Sequence, residues 1–198
     1  MPQDLHENTS PEWAALFYLC GHYNRSGEKD AFVAALQELT QVGGSPAMSA
    51  AVYLDLESGA QRIALRHGEQ SEPELLGTVN SGDPETLEQF LLWAFDTCPA
   101  RRYILVMAGL GIMDADSVVG RPPFDSARLF AICDDRATND AIELHELSAT
   151  LKTVFPADGP RRLEMLACDM YAMQFMVVAY ELRGLVDLLV GIQPRESQ

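Results

Sequence analysis

The sequence predicts an α/β protein, a three-layer α/β/α sandwich built on a mostly parallel sheet. Short, almost wholly apolar runs recur at Trp13–Cys20, Tyr103–Ala108 and Leu163–Cys168. Runs of that kind fit strands covered on both faces rather than strands with one wet side. Amphipathic helical patterns alternate with them along the chain, as expected of parallel strands joined by crossover helices. With 198 residues and 47% apolar composition the chain has enough material for a two-sided core.

Taken in order, Ala14 to Cys20 is a continuous apolar run stopped by Gly21 and belongs in the centre of a sheet. From Asp30 to Val42, Phe32, Val33, Leu36, Leu39 and Thr40 recur at three-to-four spacing, and Gly43-Gly44 ends the helix they define. Ser49 to Leu56 is a second strand, and Arg62 to Leu65 is its short partner after a turn at Ser58-Gly59. Glu69 to Leu76 is polar and is expected to be loop. Asp83-Pro84-Glu85 starts a helix: Asp caps, Pro suits the first turn, and acids favour the positive end of the dipole. Leu87, Phe90, Leu91 and Ala94 form its buried stripe, and Pro99 ends it. Tyr103 to Ala108 is a strand broken by Gly109-Leu110-Gly111. Residues 113–127 are acidic, contain Pro122-Pro123 and read as a surface loop or insertion. Leu129 to Cys133 is a short extended piece, Glu143 to Val154 a helix, Leu163 to Cys168 a strand, Ala172 to Leu182 a helix and Leu185 to Val190 a last strand. An exposed last strand is a ready edge for pairing with another chain. One domain is expected over residues 13–192, between a polar N-terminal segment, 1–12, and a C-terminal tail, 193–198.

Twenty-nine acidic against fourteen basic residues give a formal charge of -15. Such a surface repels nucleic acid and anionic membrane and attracts basic peptides or cations. Residues 1–12 carry Asp4, Glu7 and Glu12, unlike a secretion signal, and the run from Trp13 to Cys20 is too short to span a bilayer. Cys20, Cys133 and Cys168 lie in apolar runs, where a free thiol acts as a small hydrophobe, and none has the paired spacing of a zinc site with His6, His22, His67 or His145. The expectation is a reduced, cytoplasmic protein with neither metal nor cofactor.

Two segments bear on function. Asn80-Ser81-Gly82-Asp83-Pro84-Glu85-Thr86-Leu87 leads through Trp93 into Tyr103–Ala108 and Gly109-Leu110-Gly111, and Leu166-Ala167-Cys168-Asp169-Met170-Tyr171 leads into Ala179-Tyr180-Glu181-Leu182. With Ile132-Cys133-Asp134-Asp135 and Leu144-His145-Glu146-Leu147 between them, these segments resemble the clostripain-type cysteine peptidases, from Trp13 to about Gly191. The resemblance implies a caspase-like fold, a His-Gly pair after the first of these strands and Asp-Ala-Cys after the second. Here the base position holds Leu110 and the nucleophile position Tyr171. Leucine carries no titratable atom, and a phenol of ordinary pKa, about 10, stays protonated at neutral pH. The resemblance further implies that Asp169, two positions before the nucleophile, selects Arg or Lys through a charge-assisted pair. The expected function is therefore a pseudo-peptidase that binds a protein or a basic peptide segment, with an active peptidase as a candidate partner.

Other assignments compete. Cys168 is the thiol nearest the nucleophile position and is the candidate for a displaced dyad in an active Arg/Lys-preferring peptidase, but a core-strand thiol is inert. His145, its nearest partner in family-like order, opens a helix and reads as solvated or capping. Asp169 also suits capping of the helix expected from Ala172. Asp55, Asp134, Asp135 and Asp169 invite a magnesium site for phosphoryl chemistry, and the Asp134-Asp135 pair invites calcium. A polar turn is the simpler account of that pair, given Arg136 and Thr138-Asn139-Asp140. Gly109-Leu110-Gly111 lacks the spacing and lysine of a phosphate loop. Met165, Met170, Met173 and Met176 read as core filling.

Overall fold

A computed structural model describes residues 10–21, 28–69, 71–111, 130–170 and 173–191. The acidic 113–127 stretch, Tyr171, the 193–198 tail and most of the N-terminal segment lie outside the described residues.

The sheet has seven strands: β1 (Trp13–Cys20), β2 (Met48–Leu56), β3 (Gly59–Leu65), β4 (Glu74–Gly77), β5 (Arg102–Ala108), β8 (Arg162–Asp169) and β9 (Leu188–Gly191). Their order is β4-β3-β2-β1-β5-β8-β9, so β1 is central, as its unbroken apolar run predicts. β1 runs parallel to β2 and β5, β5 to β8, and β8 to β9; β3 and β4 turn back antiparallel at one edge. A separate hairpin of β6 (Ala131–Asp135) and β7 (Asp140–Glu143) precedes a helix.

Among the described residues the helices are α1 (Glu28–Val42), α2 (Pro84–Thr97), α3 (Leu144–Val154) and α4 (Met176–Glu181). Alternation along β1 sorts the two layers. Leu16 and Tyr18 join the larger core with Leu87, Phe90 and Leu91 of α2, Leu147 and Leu151 of α3, and Val178 of α4. Ala15 and Leu19 join the smaller core, against which Phe32, Leu36 and Leu39 of α1 pack. Each fully buried Leu or Phe of α2 contributes about 1.5–3 kcal/mol of apolar burial, so tertiary packing rather than helix propensity holds these helices in place.

Several elements differ from the sequence expectation; the last strand, for one, begins at Leu188 rather than Leu185. Glu74–Gly77 is a strand where loop is expected, because Arg62 on β3 donates two 2.8 Å hydrogen bonds to Glu74 and stacks 4.6 Å from the Trp93 ring centroid of α2. β7 is a strand where sequence shows turn residues. On α1, Val33 and Thr40 are exposed, leaving Phe32, Leu36 and Leu39 as the inner stripe. α4 begins at Met176, not Ala172, with Phe175 at its N-cap.

Asp83 caps α2 as read, its side chain accepting the Glu85 N–H at 2.9 Å, with Pro84 in the first turn. Asp83→Ala is expected to lower stability by about 1 kcal/mol without shifting the denaturant m-value, which a urea titration checks.

Candidate functional site

Parallel register aligns the carboxyl ends of the central strands. Cys20 lies beside Asp55, Leu19 beside Ala108, and Ala108 beside Asp169. In open parallel sheets the loops leaving such ends form the ligand crevice. Gly109 turns out of β5 where a Cβ would sit 3.0 Å from the Cys20 carbonyl oxygen, 3.1 Å from the Cys20 Cβ and 3.7 Å from the Cys133 Cα. A side chain there would press on β1, so the glycine eases the close approach of β5 to β1. Leu110 follows, half-buried, and its carbonyl accepts the Asp134 N–H at 3.1 Å, which ties the β5 exit to the β6–β7 hairpin.

Asp169 ends β8 with its residue surface exposed. It does not cap a helix: α4 starts beyond it and has no side-chain cap bond. Its neighbours Cys168 and Met170 are buried at 3% and 2% exposure. Burial, and secondarily the nearby Cys133, push the Cys168 thiol up to about 12. Cys20 is pushed well up by burial and then by a hydrogen bond with Cys133. All three are thus core thiols, as their apolar runs predict. His145 stands on the first turn of α3, its side chain 61% exposed and its Nδ1 3.2 Å from the Glu143 carboxylate. Met170 and Met173 fill the core, Met165 is half-buried, and Met176 is 86% exposed, contrary to the core role expected of it.

The acids do not assemble into a cation site. Among the described residues no group of three or more His, Cys, Asp or Glu is placed to hold a metal ion. Asp134 pairs with Arg136 at 3.3 Å, and Asp135 accepts the backbone N–H of Ala137 at 2.9 Å and of Thr138 at 3.4 Å, the polar turn the sequence suggests. A groove of about 600 Å³ between α2 and α3 is lined by helix residues such as Glu88 and Glu146 and contains none of Leu110, Cys168 or Asp169.

Ser81 has an organising role that sequence reading alone missed. Its hydroxyl donates to Asp55 at 2.6 Å and lies 3.0 Å from the Tyr53 hydroxyl. Its N–H donates to Asp135 at 3.1 Å, and its carbonyl accepts from the Tyr18 hydroxyl at 3.0 Å. Ser81, Asp55 and Asp135 are each at most 1% exposed, so these bonds satisfy groups that water cannot reach. The loop before α2 is thereby pinned to β1, β2 and the hairpin at the crevice end of the sheet. Gly82 is required beside it, since a Cβ there would lie 2.5 Å from the Asp140 backbone. The available signal was the polar Asn80-Ser81-Gly82-Asp83 stretch next to a fully apolar helix face, but its long-range partners are not visible from spacing.

The sequence profile of the clostripain family, peptidase C11, matches residues 47–197. This chain belongs to the clostripain family. Solved structures share the fold. An inactive zymogen C11 protease from Parabacteroides distasonis superposes with a TM-score of 0.64 at 21% identity, over 92% of this chain and 49% of that one. A secreted C11 cysteine protease from Bacteroides thetaiotaomicron, in complex with an irreversible peptide inhibitor, gives 0.64 at 20% identity, over 89% and 47%. The Bacteroides thetaiotaomicron protease called iotapain gives 0.66 at 17% identity, over 92% and 52%. This clostripain-family chain spans about half the length of those it matches. No curated protein matches it. Among the described residues no helix is long and apolar enough to cross a membrane.

Two outcomes follow from the buried groups. Ser81→Ala leaves Asp55 short of a donor in a dry site and is expected to cost about 2 kcal/mol, read from chemical denaturation. The buried thiols make stability fall in alkali. The folded Cys168 value lies above its ordinary 9.0, so the stability is intact below pH 9 and is lost as pH rises towards about 12, because only the unfolded chain releases the proton. The slope is about 1.4 kcal/mol per pH unit for one such group, and Cys168→Ala is expected to remove its share of it.

Proposed function

We propose that this clostripain-family chain is catalytically silent and acts by binding a basic peptide segment, free or presented by a protein such as an active peptidase. The observation that carries the reading is Leu110: the residue leaving β5, where the family resemblance calls for the histidine base, has no titratable atom. The sequence adds Tyr171 at the nucleophile position. Acyl transfer by a cysteine peptidase needs a thiolate to attack and an imidazole to manage protons; losing one member of such a unit costs roughly four to six powers of ten in turnover.

The competing reading, an active Arg/Lys-preferring peptidase with Cys168 as a displaced nucleophile, finds little support in the geometry. Cys168 is 3% exposed with its thiol pushed up to about 12, and His145 faces solvent beside Glu143. A thiol of that pKa is essentially all protonated at neutral pH.

Binding is supported by Asp169, an exposed carboxylate at the carboxyl end of β8, and by the formal charge of -15, which speeds the approach of basic ligands. Purified protein is expected to leave Arg and Lys amide substrates uncleaved and to bind an Arg-containing peptide, followed by fluorescence anisotropy. Asp169→Asn should weaken that binding roughly three- to tenfold. Turnover that is abolished by Cys168→Ala would replace this reading with the displaced dyad. Equal affinity for Arg-containing and neutral peptides would remove the basic-ligand assignment.

A further inference from the structure

Apart from the crevice, α2 and the antiparallel strands β3 and β4 enclose a recess of about 250 Å³. It contains none of Leu110, Cys168 or Asp169, and every residue that lines it falls between Tyr53 and Phe90. Its floor is aromatic: Tyr53 and Phe90, 1% and 2% exposed, hold their ring centroids 5.8 Å apart at an interplanar angle of 52°. Leu76 and Val79, both half-buried, form an aliphatic wall.

A third side is Arg62, and it is fixed before any ligand arrives. Its Nε and Nη2 each donate to the Glu74 carboxylate at 2.8 Å, and its guanidinium carbon lies 4.6 Å from the Trp93 ring centroid. Trp93 does not line the recess, so it covers one face of the guanidinium and the recess meets the other. A flat ring entering there completes a stack of indole, guanidinium and ring, which a delocalised planar cation favours. Glu74 already balances the guanidinium charge, so a neutral ring is favoured over an anion.

Polar groups stand at the same opening. Thr86, Gln89 and Phe90 share one face of α2 through their three- and four-residue spacing. Among the described residues the Thr86 hydroxyl and Nη1 of Arg62 have no hydrogen-bond partner, and Gln89 is held only by a 3.3 Å bond to Glu85. A dry cavity of about 150 Å³ accommodates benzene, so this volume takes one substituted ring and is too small for a nucleoside. We propose that the recess binds a single phenolic ring, stacked on Arg62 over Tyr53 and Phe90, with its hydroxyl among Thr86, Gln89 and Nη1 of Arg62. A free phenol and the tyrosine side chain of a peptide share that chemistry.

The protein has two tryptophans, Trp13 and Trp93, so two indole N–H resonances report on it. In a proton–nitrogen NMR titration of the full chain, assigned with Trp13→Phe, p-cresol is expected to shift the Trp93 resonance saturably and to leave that of Trp13 unmoved. Its saturated analogue, methylcyclohexanol, keeps the outline and the hydroxyl without the π face and should bind about two- to fivefold more weakly. Val79→Phe fills the recess and should abolish the shift. Arg62→Met, which keeps side-chain length, should bring p-cresol down to the affinity of methylcyclohexanol and serves where the larger residue disturbs folding. An acetylated and amidated Gly-Tyr-Gly peptide separates the two sources: a shift matching that of p-cresol assigns a tyrosine side chain, and a shift by p-cresol alone assigns a free phenol. No saturable Trp93 shift by either probe overturns the proposal. So does equal binding of methylcyclohexanol, or an affinity for p-cresol that both variants leave unchanged.

Discussion

The parallel pairing of β1, β5 and β8 is the constraint on which the site depends, because it makes three strands end side by side. At their amino ends Arg102 holds the bundle: it stacks 4.1 Å from the Trp13 ring centroid, donates to Glu164 at 2.9 Å and reaches Glu12 at 3.4 Å. At their carboxyl ends Gly109 leaves room for the close approach of β5 to β1, where a Cβ would sit 3.0 Å from the Cys20 carbonyl oxygen. Between those ends, Leu16, Leu105 and Leu166 are wholly buried. Asp169 is therefore positioned by the end of β8, and Leu110 by the exit of β5 and its carbonyl bond to the Asp134 N–H.

A second constraint fixes the loop before α2. Two carboxylates from distant parts of the chain, Asp55 and Asp135, converge on one serine, and two stacked tyrosines, Tyr18 and Tyr53 with ring centroids 4.6 Å apart, add their hydroxyls to it. Buried polar groups of this kind stabilise only when every member is bonded; a partly satisfied set is worse than an apolar core. Their arrangement is cooperative in the sense that Ser81 serves all four at once. The same acids, seen alone in sequence, invite a cation. In three dimensions Asp135 is committed to Ser81 and its own turn, and Asp55 to Ser81.

The sheet, its strand sequence and the α2 start were legible because each rests on local chemistry: unbroken apolar runs for β1 and β5, and Asp83-Pro84-Glu85 for the helix. β4 and β7 were not: β4 forms against β3, with Arg62 holding Glu74 twelve residues away, and β7 opens on the turn-rich Thr138-Asn139-Asp140, whose composition hides the hairpin it makes with β6. The α4 boundary failed for a related reason. Residues Ala172 to Phe175 are compatible with helix by composition, yet Gln174 is drawn away to the Gly191 carbonyl, and Phe175 stacks near Phe130 with ring centroids 5.6 Å apart. At the site, Leu110 and the burial of Cys168 were readable from the strand runs, whereas the Ser81 network, which joins residues up to 63 positions apart, was not.

Loss of reactive groups and retention of binding are compatible in energetic terms. A peptidase gains rate only from contacts that strengthen between the bound substrate and the transition state, while contacts equal in both contribute affinity alone. A carboxylate that pairs with an Arg or Lys side chain belongs to the second kind, because the charge it meets does not change as the scissile carbonyl reacts. In the proposed reading Leu110 and Tyr171 stand in place of base and nucleophile, which removes contacts of the first kind and leaves that of Asp169. In the proposed reading the crevice then holds its ligand as an end state instead of an intermediate, and residence time rather than turnover becomes the property on which the protein acts.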